Sequence, residues 1–216
     1  MDRIVSSFVP KQNRAIMKTI EIDILAAGPD GQTVSDPNTI NGARHRMVAS
    51  GTNDVITIQD FAKALFALQK GNVPTTNLVA IVDPSVEYTL NTLTNLVNVS
   101  NNPQWEGIIA TGLSNGMRFI KNIYGFDVYV SQNLKSGMSE TVSSNSVTNG
   151  VANLFFSAAS DVLPIVGSLR QPPMVDSEYN KDYQRDEYVT TCRYGFKLFR
   201  PENLVTIISD SSQVYA

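Results

Sequence analysis

The sequence contains a single cysteine, Cys192, among its 216 residues. One thiol can form neither an intramolecular disulfide nor a cysteine-based zinc cluster, because each needs at least two thiols. We therefore expect the chain to fold in a reducing, intracellular compartment. The longest apolar runs, such as 78–82 and 162–167, are far shorter than the roughly 20 residues of a membrane-spanning helix. We expect no association with a membrane.

Charged residues are scarce as well, at 17% of the chain, against roughly 25% in an ordinary soluble domain. The 17 Lys and Arg residues and the 20 Asp and Glu residues give a net charge of −3. This balance provides no strongly basic field that could bind phosphate, so dedicated nucleic-acid binding is not expected. Much of the surface must be neutral and polar, or be covered by partners.

The motifs that could indicate catalysis are incomplete. Residues 112–116 read Gly-Leu-Ser-Asn-Gly and match the G-x-S-x-G elbow that presents a nucleophilic serine in α/β-hydrolases. That chemistry needs a histidine after Ser114, whereas the single histidine, His45, precedes it. Residues 107–114 resemble a phosphate-binding loop but have Leu113 in the place of its lysine. We predict no catalytic residue and no cofactor, with a Ser114 hydrolase as an alternative that a serine-reactive probe would reveal.

The remaining reactive side chains do not predict a metal site. His45 stands between two arginines, which makes a poor ligand, so we expect a solvated loop or a subunit contact there. The acidic residues of 178–187 lack the spacing of a calcium-binding loop. Cys192 is expected to be a half-buried strand residue. The alternating charges and tyrosines of 178–188 are typical of the rim of a protein interface.

Helical spacing of apolar residues predicts three helices. Pro10 opens the first, and Gly28 and Pro29 close it. Thr57 and Asp60 form a capping box at the start of the second. The predicted helices cover 8–27, 58–70 and 84 to about 97.

The strand predictions follow from buried runs and from alternation with a period of two. They cover 78–82, 126–130, 151–158 and long strands within 171–210. Residues 28–54 are expected to form a long loop or a frayed hairpin, and 159–169 a short helix interrupted near Pro164. Residues 131–150 are so rich in Ser, Thr and Asn that we expect a flexible surface loop. The fold class is therefore α+β.

Three segments carry a resemblance to a known family. Residues 119–134, FIKNIYGFDVYVSQNL, resemble a segment of the major capsid proteins of tailed bacteriophages. Residues 194–204, YGFKLFRPENL, are similar to the closing segment of the same family, and 79–84, VAIVDP, resemble its strand-to-helix step. The order of the segments is preserved, and the resemblance covers residues 8–210.

The resemblance implies the HK97-type capsid fold, with a spine helix, a peripheral domain sheet and an axial domain. Residues 8–27 are then similar to the spine helix. The implied divisions are 1–74 for the first part of the peripheral domain, 75–168 for the axial domain and 169–216 for the return into the peripheral domain. Such proteins usually have an arm and an extended loop before the spine helix. We expect this chain either to be an N-terminally incomplete copy or to obtain those contacts otherwise, and we expect no crosslinking.

The function that the resemblance implies is that of a major capsid protein. Its copies would form the hexamers and pentamers of an icosahedral phage head, assembled in the host bacterial cytoplasm around a DNA genome that is enclosed without sequence-specific binding. Portal, scaffolding or decoration proteins are implied as partners. The alternatives are an encapsulin-like compartment and a protein-binding module. The predicted subunit contacts are Trp105, Arg170, Asp176, Glu178, Tyr179, Lys181, Asp182, Arg185 and Asp186.

Overall fold

The computed structural model describes residues 2–92 and 122–212, with side chains for 10–90 and 122–212. Trp105, Ser114 and the predicted end of the third helix near residue 97 lie outside the described residues.

The first helix, α1, spans Asp2–Gly31, so the predicted bounds of 8–27 were too narrow. Both Pro10 and Pro29 lie inside it. A proline inside a helix removes one hydrogen bond and crowds the carbonyl four residues earlier, at a cost of about 3 kcal/mol. Contacts of α1 with β9, such as those of Gln12 and Asp23, help to offset that cost. Near its end α1 comes very close to its neighbours: a Cβ added at Gly31 would lie 2.4 Å from Cβ of Leu198. Glycine there makes the close approach possible.

The segment after α1 is more ordered than a long loop. Strands β1 (Thr39–Ile40) and β2 (Ala43–Arg44) form a tight hairpin, and β3 (Arg46–Val48) follows directly. The hairpin alternative for 28–54 is thus confirmed for its middle part. Helix α2 spans Ile58–Lys70 as predicted, and it begins with the predicted capping box, in which the backbone N–H of Thr57 donates to Oδ2 of Asp60 at 2.9 Å.

The predicted strand-to-helix unit is present. Strand β4 (Leu78–Val82) leads into α3, which is described over Pro84–Thr92, and β5 (Phe126–Val130) pairs with β4 in parallel. Because parallel neighbours need a crossover connection, α3 lies at the start of that crossover.

The prediction of a flexible loop over 131–150 was wrong. Strand β6 (Met138–Val142) and strand β7 (Asn145–Ser157) occupy most of it. Met138, Glu140 and Val142 are buried in strict alternation, and Ser143 and Ser144 take the positive φ values of 50° and 75° that the connecting turn requires. The high content of polar residues hides this alternation of buried and exposed side chains.

The short helix predicted over 159–169 was also wrong, because a turn there leads into a strand. Long strands in the tail are confirmed as β8 (Ile165–Asn180), β9 (Arg185–Leu198) and β10 (Val205–Asp210). In the described ranges the sheet order is β3-β10-β7-β4-β5, with β6 also paired to β7, while β8 and β9 form a separate two-stranded ribbon.

The core of the six-stranded sheet contains a cluster of three phenylalanines. Rings of Phe61 and Phe155 meet edge to face with centroids 5.1 Å apart, and Phe126 packs on Phe155 at 5.5 Å. This cluster places α2 on one face of the sheet. On the other face, Leu25 of α1 packs in a second cluster with Leu154, Leu198 and Leu204.

A buried polar network joins the end of α1 to this sheet. Nη2 of Arg46 lies 2.7 Å from Oε1 of Glu140, and both side chains are almost fully buried. Arg46 also donates from Nη1 to the carbonyl of Pro29 at 3.0 Å, and the amide of Gln32 donates to the carbonyls of His45 and Leu204, both at 3.2 Å. Burying a charge is costly unless it is paired and hydrogen-bonded, so these groups require one another.

His45 belongs to the same region, and the expectation of a solvated loop or subunit contact there was wrong. Its side chain is fully buried, and its ring nitrogens lie 3.2 Å from the carbonyls of Ala43 and Glu202. Burial lowers the pKa of His45 below 6.5, although both carbonyls act to raise it.

We expect Glu140→Ala to lower the free energy of unfolding by about 3–5 kcal/mol, because Arg46 would stay buried without its carboxylate. The control is Asp30→Ala, which removes the acid of the partly exposed Lys135–Asp30 pair and should cost less than about 1 kcal/mol. Urea unfolding followed by circular dichroism measures both. Equal losses in the two variants would contradict the structural role of the network.

The lowered pKa of His45 predicts a pH-dependent stability. The unfolded chain takes up this proton more readily than the folded one, so the free energy of unfolding should fall as the pH drops below 6.5. In His45→Asn this part of the pH dependence should be absent, since the chain has no other histidine. Urea midpoints between about pH 5 and 8 test it. An unchanged slope in the variant would refute the assignment.

Candidate subunit-contact surface

The ribbon of β8 and β9 is exposed along most of its length. At the usual rise per residue, its 16-residue strand β8 is about 50 Å long. We call the end at Ile165 and Leu198 the base of the ribbon, and the end at the 181–184 turn its tip. A two-stranded ribbon is marginal by itself and needs support from another element.

Helix α1 supplies that support on one face only. Thr190 Oγ1 donates to Oε1 of Gln12 at 3.1 Å, and the phenol of Tyr194 donates to Oδ2 of Asp23 at 2.5 Å. These contacts lie on one face of β9, because side chains two residues apart in a strand point the same way. The hydrogen bond to Asp23 raises the pKa of Tyr194 to about 12.

The tip is fixed by its own polar contacts. The side-chain oxygen of Asn180 accepts from the backbone N–H of Asp182 at 3.1 Å and from that of Tyr183 at 3.3 Å. The guanidinium of Arg185 lies 5.0 Å from the centre of the Tyr183 ring, and its Nε donates to Glu187 at 2.8 Å. This ion pair, with a further bond from Asn180, lowers the pKa of Glu187. The tip is thus a defined shape and not a loose loop.

The predicted contact residues on the described chain all lie on this ribbon or its turn, and all are exposed. Most of them gather at the tip, whereas Arg170 lies nearer the base, beside an irregularity in the pairing between Leu169 and Gln171. Trp105 lies outside the described residues. By position, the strand β8 carries Arg170, Asp176, Glu178 and Tyr179, the turn carries Lys181 and Asp182, and β9 carries Arg185 and Asp186.

The sequence analysis missed other exposed residues of the ribbon. Met174 and Val189 are about half exposed, at 49% and 54%. Arg193 and Lys197 of β9 are exposed near the base. Alternation along β9 could have revealed Val189, Arg193 and Lys197, because residues between the helix-facing ones must point away from α1.

Within 2–92 and 122–212, no group of three or more His, Cys, Asp and Glu side chains could hold a metal ion. Cys192 is half-buried in β9, as predicted, and its thiol donates to the carbonyl of Gln171 at 3.3 Å. No helix in the described ranges is long and apolar enough to cross a membrane.

Comparison with known proteins gives a consistent result. A model of the phage capsid protein family matches residues 2–207. A structure of Mycobacterium phage Che8 is similar, with 20% identity and a TM-score of 0.66, over 93% of this chain and 62% of that one. The capsid of the cyanophage P-SCSP1u is similar at 16% identity and a TM-score of 0.66, over 94% of this chain and 64% of that one. No curated protein sequence matches.

An encapsulin is a weaker match. The holo-SrpI encapsulin complex from Synechococcus elongatus PCC 7942 has 11% identity and a TM-score of 0.56, over 97% of this chain and 67% of that one. The similarity of all these structures establishes the fold, which is the HK97-type capsid fold. The chain spans less than two thirds of the length of the first two relatives.

The bond between Tyr194 and Asp23 predicts a measurable titration. In Asp23→Asn the pKa of Tyr194 should fall from about 12 towards 10.0, because the charged acceptor of its proton is removed. A raised pKa in the folded state means that the stabilisation is present below the unfolded pKa and is lost as the pH rises through 12. Ultraviolet absorbance of tyrosinate, followed over a pH titration, measures this pKa. The Tyr194→Phe variant identifies the part of the signal that comes from Tyr194. Identical titration curves for Asp23→Asn and the unmodified chain would contradict the assignment.

Proposed function

Because the chain belongs to the phage capsid protein family, we propose that it is a major capsid protein whose copies form the hexamers and pentamers of an icosahedral phage head. The observation that carries this proposal is the ribbon of β8 and β9, which α1 supports on one face and which exposes apolar, aromatic and charged side chains on its remaining surface. Such a mixture is typical of a surface that other protein copies cover.

The exposed surface of the ribbon is suited to weak contacts that are repeated between many copies of the chain. Exposed charged groups fix register and discourage wrong partners more than they add affinity. A closed shell multiplies such contacts, so its stability comes from their number and not from one very tight interface. On this proposal the subunit contacts are Trp105, Arg170, Asp176, Glu178, Tyr179, Lys181, Asp182, Arg185 and Asp186.

The proposal extends to partners and location. The protein is a structural component of the virion and not an enzyme, and it assembles in the host bacterial cytoplasm with portal, scaffolding or decoration proteins. The net charge of −3 favours a wall that holds DNA by confinement over one that binds it tightly.

The division of the chain is also a proposal. Residues 1–74 and 169–216 would contribute the peripheral domain, and 75–168 the axial domain. Packing of α1 along β8 and β9, through contacts such as that of Gln12 with Thr190, supports uniting the first and last segments in one peripheral unit.

A second candidate is an encapsulin-like compartment that encloses a cargo protein. The similarity to the SrpI encapsulin favours it to a limited extent, since that likeness concerns the fold alone and is weaker than the likeness to the phage structures. The content of purified particles separates the two: nuclease-protected DNA supports a phage head, and a co-purifying protein cargo supports a compartment.

The proposed function predicts that the purified chain forms rings, shells or tubes of repeating units as its concentration rises. Light scattering with negative-stain electron microscopy, across concentration and moderate salt, measures the size distribution. A double variant, Tyr179→Ser with Tyr183→Ser, should reduce assembly, because both rings are exposed at the tip, at 54% and 72%.

Phe66→Ser is the matched control, since this ring is also exposed, at 52%, but lies on α2. It should assemble like the unmodified chain. A chain that stays monomeric at every concentration and salt would overturn self-assembly as the function.

A further inference from the structure

The face of the ribbon turned away from α1, here the outer face, has a charge order along its length. Thr190 and Tyr194 of β9 contact α1, so the alternate residues Val189 and Arg193 point outwards. Near the base the outer face carries Arg193 and Lys197. Near the tip it carries Glu178 and Glu187, which stand directly opposite each other across the two strands.

The glutamate pair is unfavourable in an isolated chain. Like charges directly opposite in a sheet destabilise it. Arg185 neutralises Glu187 at 2.8 Å, but within the described residues Glu178 forms no ion pair or hydrogen bond. In the same ranges Arg193 and Lys197 have no carboxylate partner either. Both ends of the outer face therefore have unused charge, of opposite sign.

The middle of the outer face combines two apolar side chains with the acidic Asp176 and the polar Thr191, because residues paired across the ladder lie on the same face. Met174 and Val189 lie two rungs apart in the ladder, paired with Thr191 and Asp176 respectively, and are about half exposed. Along β9, Arg193 and Glu187 lie three residues on either side of Thr190. At the usual rise per residue, each is about 10 Å from that position. From base to tip the outer face is therefore basic at Arg193 and Lys197, mixed around Met174 and Val189, and acidic at Asp176, Glu178 and Glu187.

We propose that the outer face binds the outer face of a second copy of this chain in antiparallel orientation, so that Arg193 of each copy meets the Glu178–Glu187 pair of the other around a shared centre that contains Met174 and Val189. A pattern whose two halves complement each other is what a two-fold contact between identical chains requires. This inference rests on the proposed function, since it names one of the contacts by which copies assemble.

The size of the face sets the strength of this contact. A ribbon about 50 Å long and about 10 Å wide offers about 500 Å² per copy, so a pair buries about 1,000 Å². That is below the roughly 1,200 Å² of a stable independent complex. The contact is weak for an isolated pair and becomes effective where other contacts hold the copies together.

Charge reversal tests the pairing. Arg193→Glu should raise the protein concentration needed for half-assembly by about tenfold or more, because it sets like charges against each other twice in every pair. Arg44→Glu is the matched control: it has the same change of charge at an exposed position on β2, away from the ribbon, and should leave assembly unchanged. Light scattering over a concentration series provides the readout.

Glu178→Arg separates docking from folding. It replaces the like-charged pair with a salt bridge to Glu187, so the urea midpoint should rise, while assembly should weaken because the acidic end is neutralised. An equimolar mixture of the Arg193→Glu and Glu178→Arg chains should assemble better than either chain alone, because each mixed pair retains one unmodified Arg193–glutamate contact.

The outcomes distinguish the two proposals. If the unmodified chain assembles and Arg193→Glu assembles equally well, the outer-face contact is wrong and the capsid function stands. If Arg193→Glu is impaired but the mixture does not recover, the face binds a different surface and the antiparallel pairing is wrong. If the unmodified chain never assembles, both proposals fail.

Discussion

The buried pair of Arg46 and Glu140 is the constraint on which the arrangement of the molecule depends. These two charges are removed from water at the point where the end of α1, β3 and β6 meet, and they are stable there only while every partner is present. Arg46 reaches the carbonyl of Pro29, and Gln32 reaches two further carbonyls of the sheet region. The position of the last turn of α1 is therefore set by hydrogen bonds that a simple apolar contact would not specify.

The position of α1 in turn determines what the ribbon exposes. The helix covers one face of β8 and β9 along its length, from the close approach at Gly31 to the bond between Gln12 and Thr190. The opposite face and the tip are left for other surfaces. A ribbon that is marginal alone gains a further partner when copies assemble, so in our account folding of the chain and assembly of the shell draw on the same element.

Sequence reasoning succeeded where local signals are strong and failed where long-range partners decide. The capping box of Thr57 with Asp60 and the apolar run of 78–82 gave α2 and β4 correctly. The polar composition of 131–150 did not indicate β6. Glu140 of this strand is buried only because it is paired with Arg46, which lies 94 residues away in the sequence. The burial of His45 was missed for the same reason, since the carbonyl of Glu202 that its ring contacts lies 157 residues away in the sequence. The candidate contacts within 170–186 were chosen by charge and tyrosine content, but the strand register around Pro172 and Pro173, with its irregularities, could not be predicted from the sequence.

We propose that copies of this capsid-family chain assemble through the ribbon of β8 and β9. Hydrogen–deuterium exchange, compared between dilute protein and assembled particles, tests it most directly. The account predicts that the backbone amides of β8, β9 and the 181–184 turn gain protection on assembly, while those of the central strands β4 and β7 change little because the folded core already protects them. Particles whose ribbon amides exchange as fast as in the dilute chain, with new protection confined to other segments, would contradict it.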